Sequence, residues 1–195
     1  MTAAVLRLLP ITADGRCDGR DGPWPDETIA LLDATRQLYA EQGHHPPWIS
    51  YLAFVGDEMV GGGAFVGPPR ADGVEIAYFT RSDLEGRGHA GRTAASLVAL
   101  ARAADPALPI WAKTLPEENA STHILRRLGF GFTGIVQDHE IGLPGAGNCS
   151  PRPDRHPKRP DQADALLRGG GEGCRLTLLS HDLRRIPEVS FFQHY

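Results

Sequence analysis

Residues 74–101 read VEIAYFTRSDLEGRGHAGRTAASLVALA. A run rich in β-branched and aromatic residues passes through a polar bend and a cluster of glycines. It then enters an Ala- and Leu-rich stretch that Asp105-Pro106 stops. The first part predicts a strand over residues 73–80, and the last predicts a helix from about Gly88 to Ala104. Between them, Gly86-Arg87-Gly88-His89-Ala90-Gly91 spells G-x-G-x-x-G. A Gly-rich turn that opens a helix leaves backbone N–H groups pointing outward, and the helix dipole adds to them, so the turn is a ready anion site. Gly88 and Ala90 would let a pyrophosphate come close to the backbone, and Arg87 and Arg92 add positive charge. The same small residues also suit tight packing of a helix on a sheet, and at this point both readings stand.

A dinucleotide-binding fold fits poorly. There the first glycine follows the strand at once and an acid holds the ribose about 20 residues on, at the end of the next strand. Here Arg81-Ser82-Asp83-Leu84-Glu85 intervenes before Gly86, and Lys113-Thr114 stands where that acid belongs.

Upstream, ISYLAFV and EMVGGGAFV flank Gly56-Asp57, a hairpin signal, and a hairpin is the wrong prelude to a βαβ start. Residues 3–11 read as a first strand. The segment from Asp26 to Gly43 reads as a helix, with Asp26 as N-cap and Gly43 as stop. Downstream, residues 109–113 read as a strand, Glu118 to Leu128 as a helix, and 130–140 and 174–183 as two further strands. The stretch at about 142–173 is dense in Gly, Pro and charge and predicts a mobile loop insertion in a single domain spanning 1–195.

Bulk properties narrow the class. A chain of 195 residues can bury one substantial core. A formal charge of −4 argues against a nucleic-acid backbone as partner. The basic run Arg152 to Arg159 carries no aromatics for base stacking and reads as solvated loop, or as a flap favouring anionic acceptors. No apolar run is long enough for a membrane helix, and the N-terminus lacks a basic leader, so a cytoplasmic protein is expected. Three widely spaced cysteines suit neither a disulfide framework nor a structural zinc site. His44-His45 point different ways without a carboxylate cluster, so no metal is expected.

Two segments together resemble the GNAT acyl-CoA-dependent N-acetyltransferases. One is Glu85-Gly86-Arg87-Gly88-His89-Ala90, similar to the family's Q/R-x-x-G-x-G/A loop, with Glu85 replacing Gln or Arg. The other is AKTLPEENASTHILRRLGF, residues 112–130, similar to a family segment found in the branch of the ribosomal-protein-alanine acetyltransferases. The resemblance covers roughly residues 48–138. It implies an α/β (α+β) fold with a twisted, mixed, mostly antiparallel sheet of about seven strands flanked by helices. Central strands 4 and 5 would splay to admit a pantetheine arm. It implies acetyl-CoA as cosubstrate, with contacts from Phe79, Thr80, Arg87, Gly88, His89, Ala90, Gly91, Arg92 and Asn119. It further implies a small-molecule amine or a protein N-terminus as acceptor, with a homodimer as an open arrangement. The family's Asn position holds Glu118, and Leu125 stands where a general-acid Tyr is often found. Those departures keep a CoA-binding regulator without turnover as the alternative.

Amine acetylation needs a neutral amine, and free amines are largely protonated near neutral pH. Glu75, a carboxylate in an otherwise apolar strand, is the candidate base; the plain alternative is an outward-facing surface Glu. Ser121 matches the family's Ser and is the second catalytic candidate, or merely a first-turn hydroxyl. Tyr78, three residues from Glu75, falls on the opposite face and reads as core. Trp48 reads as acceptor-pocket lining or core, His89 as present for its backbone, and His123 as an exposed helix residue.

Overall fold

The computed structural model describes residues 5–114, 118–137 and 174–180. Among the described residues, seven strands and three α-helices follow one another in the order the sequence predicts. β1 (Leu6–Pro10) is followed by α1 (Asp26–Gln42), then by β2 (Ser50–Val55), β3 (Glu58–Phe65) and β4 (Val74–Thr80). α2 (His89–Ala104), β5 (Ile110–Thr114), α3 (Ala120–Arg127), β6 (Gly131–Gln137) and β7 (Cys174–Ser180) complete the order. The insertion at about 142–173 lies outside the described residues, as do 138–140 and 181–183 of the two final predicted strands.

One sheet joins all seven strands in the order β1-β2-β3-β4-β5-β7-β6. β1 to β4 pair antiparallel, as the Gly56-Asp57 turn dictates, and β4, β5, β7 and β6 run parallel. β1 lies at the sheet's edge, where Pro10 costs no ladder bond that the fold needs. The architecture is therefore the mixed sheet flanked by helices that the sequence suggests, with antiparallel pairing holding the larger share of the ladder.

Each helix buries one stripe. On α2 the stripe is His89, Thr93, Ala94, Leu97 and Ala101, at the spacing of one helical face. It packs on β3 and β4, and comes against β3 at Gly63. A Cβ on Gly63 would come 2.8 Å from Leu97 Cδ1 and 3.0 Å from Thr93 Cγ2, so the glycine lets the helix sit close. A Cβ on Gly62 would come 2.6 Å from the Phe79 ring, which occupies that space. On α1 the stripe is Thr28, Leu31, Leu32, Thr35 and Tyr39, and the Tyr39 hydroxyl accepts from the Ser50 N–H at 2.7 Å.

Helix ends differ from prediction at two places. α1 is entered from Pro25, and Asp26 lies in the first turn without capping it. Its carboxylate, with that of Glu27, still complements the positive end of the dipole. α3 starts later than expected because Asn119 caps it. Asn119 Oδ1 accepts from the Thr122 N–H at 2.9 Å, and the Asn119 N–H donates to Thr122 Oγ1 at 2.9 Å, a reciprocal capping box. Gly43 stops α1 as predicted, and Gly129, at φ 84°, closes α3.

Candidate active site

β4 and β5 form a fork. They pair only at Val74↔Ile110 and Glu75↔Trp111, yet β4 continues to Thr80 and β5 to Thr114. β4 stays paired to β3 all the way to Thr80, so the sheet opens on the β5 side alone. Beyond Thr80 the chain makes a short 3-10 turn, Ser82–Leu84, and reaches the glycine loop. Arg81 Nη1 donates to the Met59 carbonyl at 3.1 Å and ties this bend to β3.

Gly88 precedes α2 in the left-handed region, at φ 75°, and no side chain caps the helix. The first-turn N–H groups of α2 are thus left without a side-chain acceptor, the arrangement an anion needs. Around Gly88 a Cβ would meet nothing within 4 Å, so the loop is open. Arg87 is exposed beside it. This loop could hold a pyrophosphate, and the β4 arm of the fork, which could border an extended arm, ends at Thr80, six residues before Gly86.

The other loop residues have more specific places than the sequence suggests. The His89 side chain is 8% exposed, and Arg92 Nη2 lies 2.9 Å from its Nδ1. His89 therefore contributes its side chain and not only its backbone. Burial, reinforced by the charges of Arg92 and Arg87, lowers its pKa below the ordinary 6.5, while Glu58 opposes. Gly91 faces Ile124 of α3 at ordinary contact distance, and Ala90 is half-buried in the same turn.

Glu75 sits at the base of the fork, with a side chain 13% exposed. Its Oε2 lies 3.6 Å from Lys113 Nζ, which also stands 5.5 Å from the Trp111 ring centroid. Glu75 is thus neither a solvated surface carboxylate nor isolated. In the sequence, Lys113 stands out only as the wrong residue for binding ribose; its place beside Glu75 comes from the pairing of β4 with β5.

Tyr78 pairs with Gly63 and so points to the α2 side, opposite Glu75. Its hydroxyl is buried and neighbours Ser121 in the first turn of α3, though not in full hydrogen-bond geometry. Burial pushes the phenol up to about 12, and Ser121 works against that shift. The two catalytic candidates, Glu75 and Ser121, consequently lie on opposite sides of the sheet. Asn119 spends its amide on the α3 cap and on Thr114 Oγ1, 3.2 Å from its Nδ2. Leu125, one turn beyond Ser121, is 1% exposed core.

The remaining residues singled out in the sequence have their own contacts. Trp48 packs edge-on to Phe65, with centroids 5.0 Å apart. His44 Nε2 lies 3.2 Å from the Ile11 carbonyl and His45 Nε2 3.2 Å from that of Gln42, so the pair diverges. His123 is exposed and stands 3.4 Å from Glu118. Among the described residues no group of three or more His, Cys, Asp or Glu could hold a metal, and no helix is long and apolar enough to cross a membrane. A separate cleft of about 360 Å³ lies at the β2–β3 turn, walled by Trp24, Phe54, Arg20 and Arg81.

The acetyltransferase (GNAT) domain family matches residues 11–131 of this chain. That span includes the fork, the glycine loop and α3, and the chain belongs to the GNAT family. Its reaction class is acetyl transfer from acetyl-CoA to an amine. Among solved structures, RimL, a ribosomal L7/L12 alpha-N-protein acetyltransferase in an apo crystal form, is similar at 18% identity and a TM-score of 0.46. The likeness covers 67% of this chain and 78% of RimL. A sequence comparison with curated proteins finds no match.

Proposed function

We propose that this chain acetylates a primary amine, on a small molecule or at a protein N-terminus, by direct attack on the thioester of acetyl-CoA. The observation that carries the proposal is the fork between β4 and β5 opening toward the uncapped start of α2. Acetyl-CoA supplies an activated acyl group as a thioester. In this reading the backbone N–H groups from Arg87 to Gly91, with Arg92 nearby, hold the pyrophosphate. Phe79 and Thr80 line the arm along β4, and Asn119 shapes the far wall by fixing α3. Backbone N–H groups on the β5 side of β4 stabilise the charge that develops on the carbonyl oxygen. Glu75 takes the proton from the attacking amine, directly or through water. Ser121 serves on the opposite side, toward the sulfur.

A second reading, CoA binding without turnover, draws on the wholly apolar Leu125. One experiment separates the two. Thiol release from acetyl-CoA is followed over a panel of primary amines and short peptides with free α-amines, and acetylated product is checked by mass. Amine-dependent release matched by product supports the transferase. Tight acetyl-CoA binding with no release for any amine favours the second reading.

A further inference from the structure

His89 opens α2, and it is buried, at 8% exposure. Arg92 follows one turn on, with Nη2 2.9 Å from His89 Nδ1. A guanidinium can only donate, so Nδ1 is the acceptor and the ring proton sits on Nε2. The imidazole is therefore neutral while the pair holds. Burial keeps it so, the charges of Arg92 and Arg87 act in the same sense, and Glu58 of β3 works against them. The kind of partner matters. Arg16, Arg20, Arg81 and Arg126 are each met by a carboxylate, which offsets the charge it holds. The imidazole orients Arg92 without cancelling any of its charge. A phosphate-binding arginine gains from both, a fixed direction and an intact cation. Arg92 also stands in the first turns of the helix whose N–H groups have no side-chain cap.

We propose that His89 is a positioning residue, whose Nδ1 fixes the Arg92 guanidinium at the glycine loop so that the cofactor's pyrophosphate meets a cation already oriented. The inference rests on the reading of the loop as the pyrophosphate site and adds to it a residue that sets the affinity of that site. Without the acceptor, the long arginine side chain would sample more rotamers in the free protein, and binding would carry the entropy of ordering it. The polar ring in a buried place then has a reason. A phenyl ring would fill the same space but leave Arg92 without this acceptor.

The test measures CoA affinity by calorimetry, which reads binding with or without an accepted amine. The wild type is compared with His89→Phe, His89→Asn, Arg92→Met and the double variant His89→Phe with Arg92→Met. His89→Phe keeps a ring and removes the acceptor. His89→Asn loses the ring and keeps an acceptor at the same distance along the side chain. The expected result is a rise in Kd of about 5- to 20-fold for His89→Phe and for Arg92→Met. The double variant should bind no more weakly than Arg92→Met, because His89 acts through Arg92. His89→Asn should bind nearly as the wild type does, even where its unfolding midpoint falls with the lost packing. Should the phenyl ring not be accommodated in the fold, His89→Leu takes its place with the same expectation.

An unchanged Kd in Arg92→Met would overturn the proposal. Equal weakening in His89→Phe and His89→Asn would assign the effect to packing and overturn it too, as would losses that multiply in the double variant. A wild type that does not bind CoA would overturn the reading of the loop and this proposal with it. Wild-type binding that His89→Phe leaves intact would overturn this proposal alone.

Discussion

Glu75 on β4 and Lys113 on β5 face each other across the base of the fork, with Oε2 and Nζ 3.6 Å apart. The ion pair ties the carboxylate to the base of the fork. If Glu75 is the general base, Glu75→Gln lowers kcat by about 10²- to 10⁴-fold while acetyl-CoA affinity stays nearly intact. Lys113→Met removes the cation that faces the carboxylate and should lower kcat, by less than Glu75→Gln does. Calorimetric affinity beside steady-state kinetics checks both, and full activity in Glu75→Gln removes it from the role.

The glycine loop gives a prediction with a built-in control. Gly88 sits at φ 75° and Gly67 at φ 82°, and a Cβ on either meets nothing within 4 Å. Alanine at each position pays the same left-handed penalty of about 1–2 kcal/mol. Only Gly88→Ala should also weaken acetyl-CoA binding, because only there does relaxing the backbone re-aim the N–H groups at the start of α2. Equal affinities in the two variants would contradict the assignment of the loop.

Stability should fall on acidification, in part through His89. Its pKa is lowered in the fold, so below about 6.5 the unfolded chain takes up a proton that the folded chain refuses. The unfolded state is favoured increasingly as pH drops from there toward the folded pKa. Above that window the group contributes no pH dependence. His89→Asn keeps an acceptor for Arg92 but cannot titrate, and should flatten this part of the profile. Denaturant midpoints on both sides of the window decide it.

Gly62→Ala should destabilise the sheet by about 1–3 kcal/mol, the usual cost of overpacking. The new methyl would meet the Phe79 ring at 2.6 Å and the Tyr51 carbonyl at 2.9 Å, and the second of these is backbone that cannot swing aside. Gly62→Ala with Phe79→Leu should recover only part of the loss. A silent Gly62→Ala would mean that β3 and β4 adjust more freely than this contact allows.

Asn119→Ala should cost about 1 kcal/mol through the lost α3 cap. Because α3 carries Ser121 beside Tyr78 of β4, and Ser121 is a catalytic candidate, turnover should fall more than acetyl-CoA affinity. Asn119→Ser retains a capping oxygen and should restore most of the stability. Thermal midpoints and kinetics on the two variants check this pair of effects.

Much of the fold was legible because its signals are local. Gly56-Asp57 between β-rich runs fixes the hairpin, Gly43 marks the end of α1, and the glycine loop marks the start of α2. The candidate site was legible as a list of residues more than as a geometry. That Glu75 meets Lys113 depends on the parallel register of β4 and β5, which strand alternation alone cannot supply. Tyr78 reads as core by alternation, and its ring is indeed confined, but the fate of its hydroxyl is decided by a helix more than 40 residues away. The Asn119 cap did have a signal, an Asn followed three positions later by Thr. It was hidden because the reciprocal side chain is a hydroxyl rather than the usual Glu or Gln.

The most direct test of the central claim is a thermal-shift comparison of the protein with acetyl-CoA, CoA, NAD and NADP. A ligand at 100 times its Kd adds about 2.7 kcal/mol of stability. A rise in midpoint with acetyl-CoA and CoA alone, abolished or reduced in Gly88→Ala but kept in Gly67→Ala, is the predicted result. A rise with NAD or NADP and none with the CoA species would contradict it.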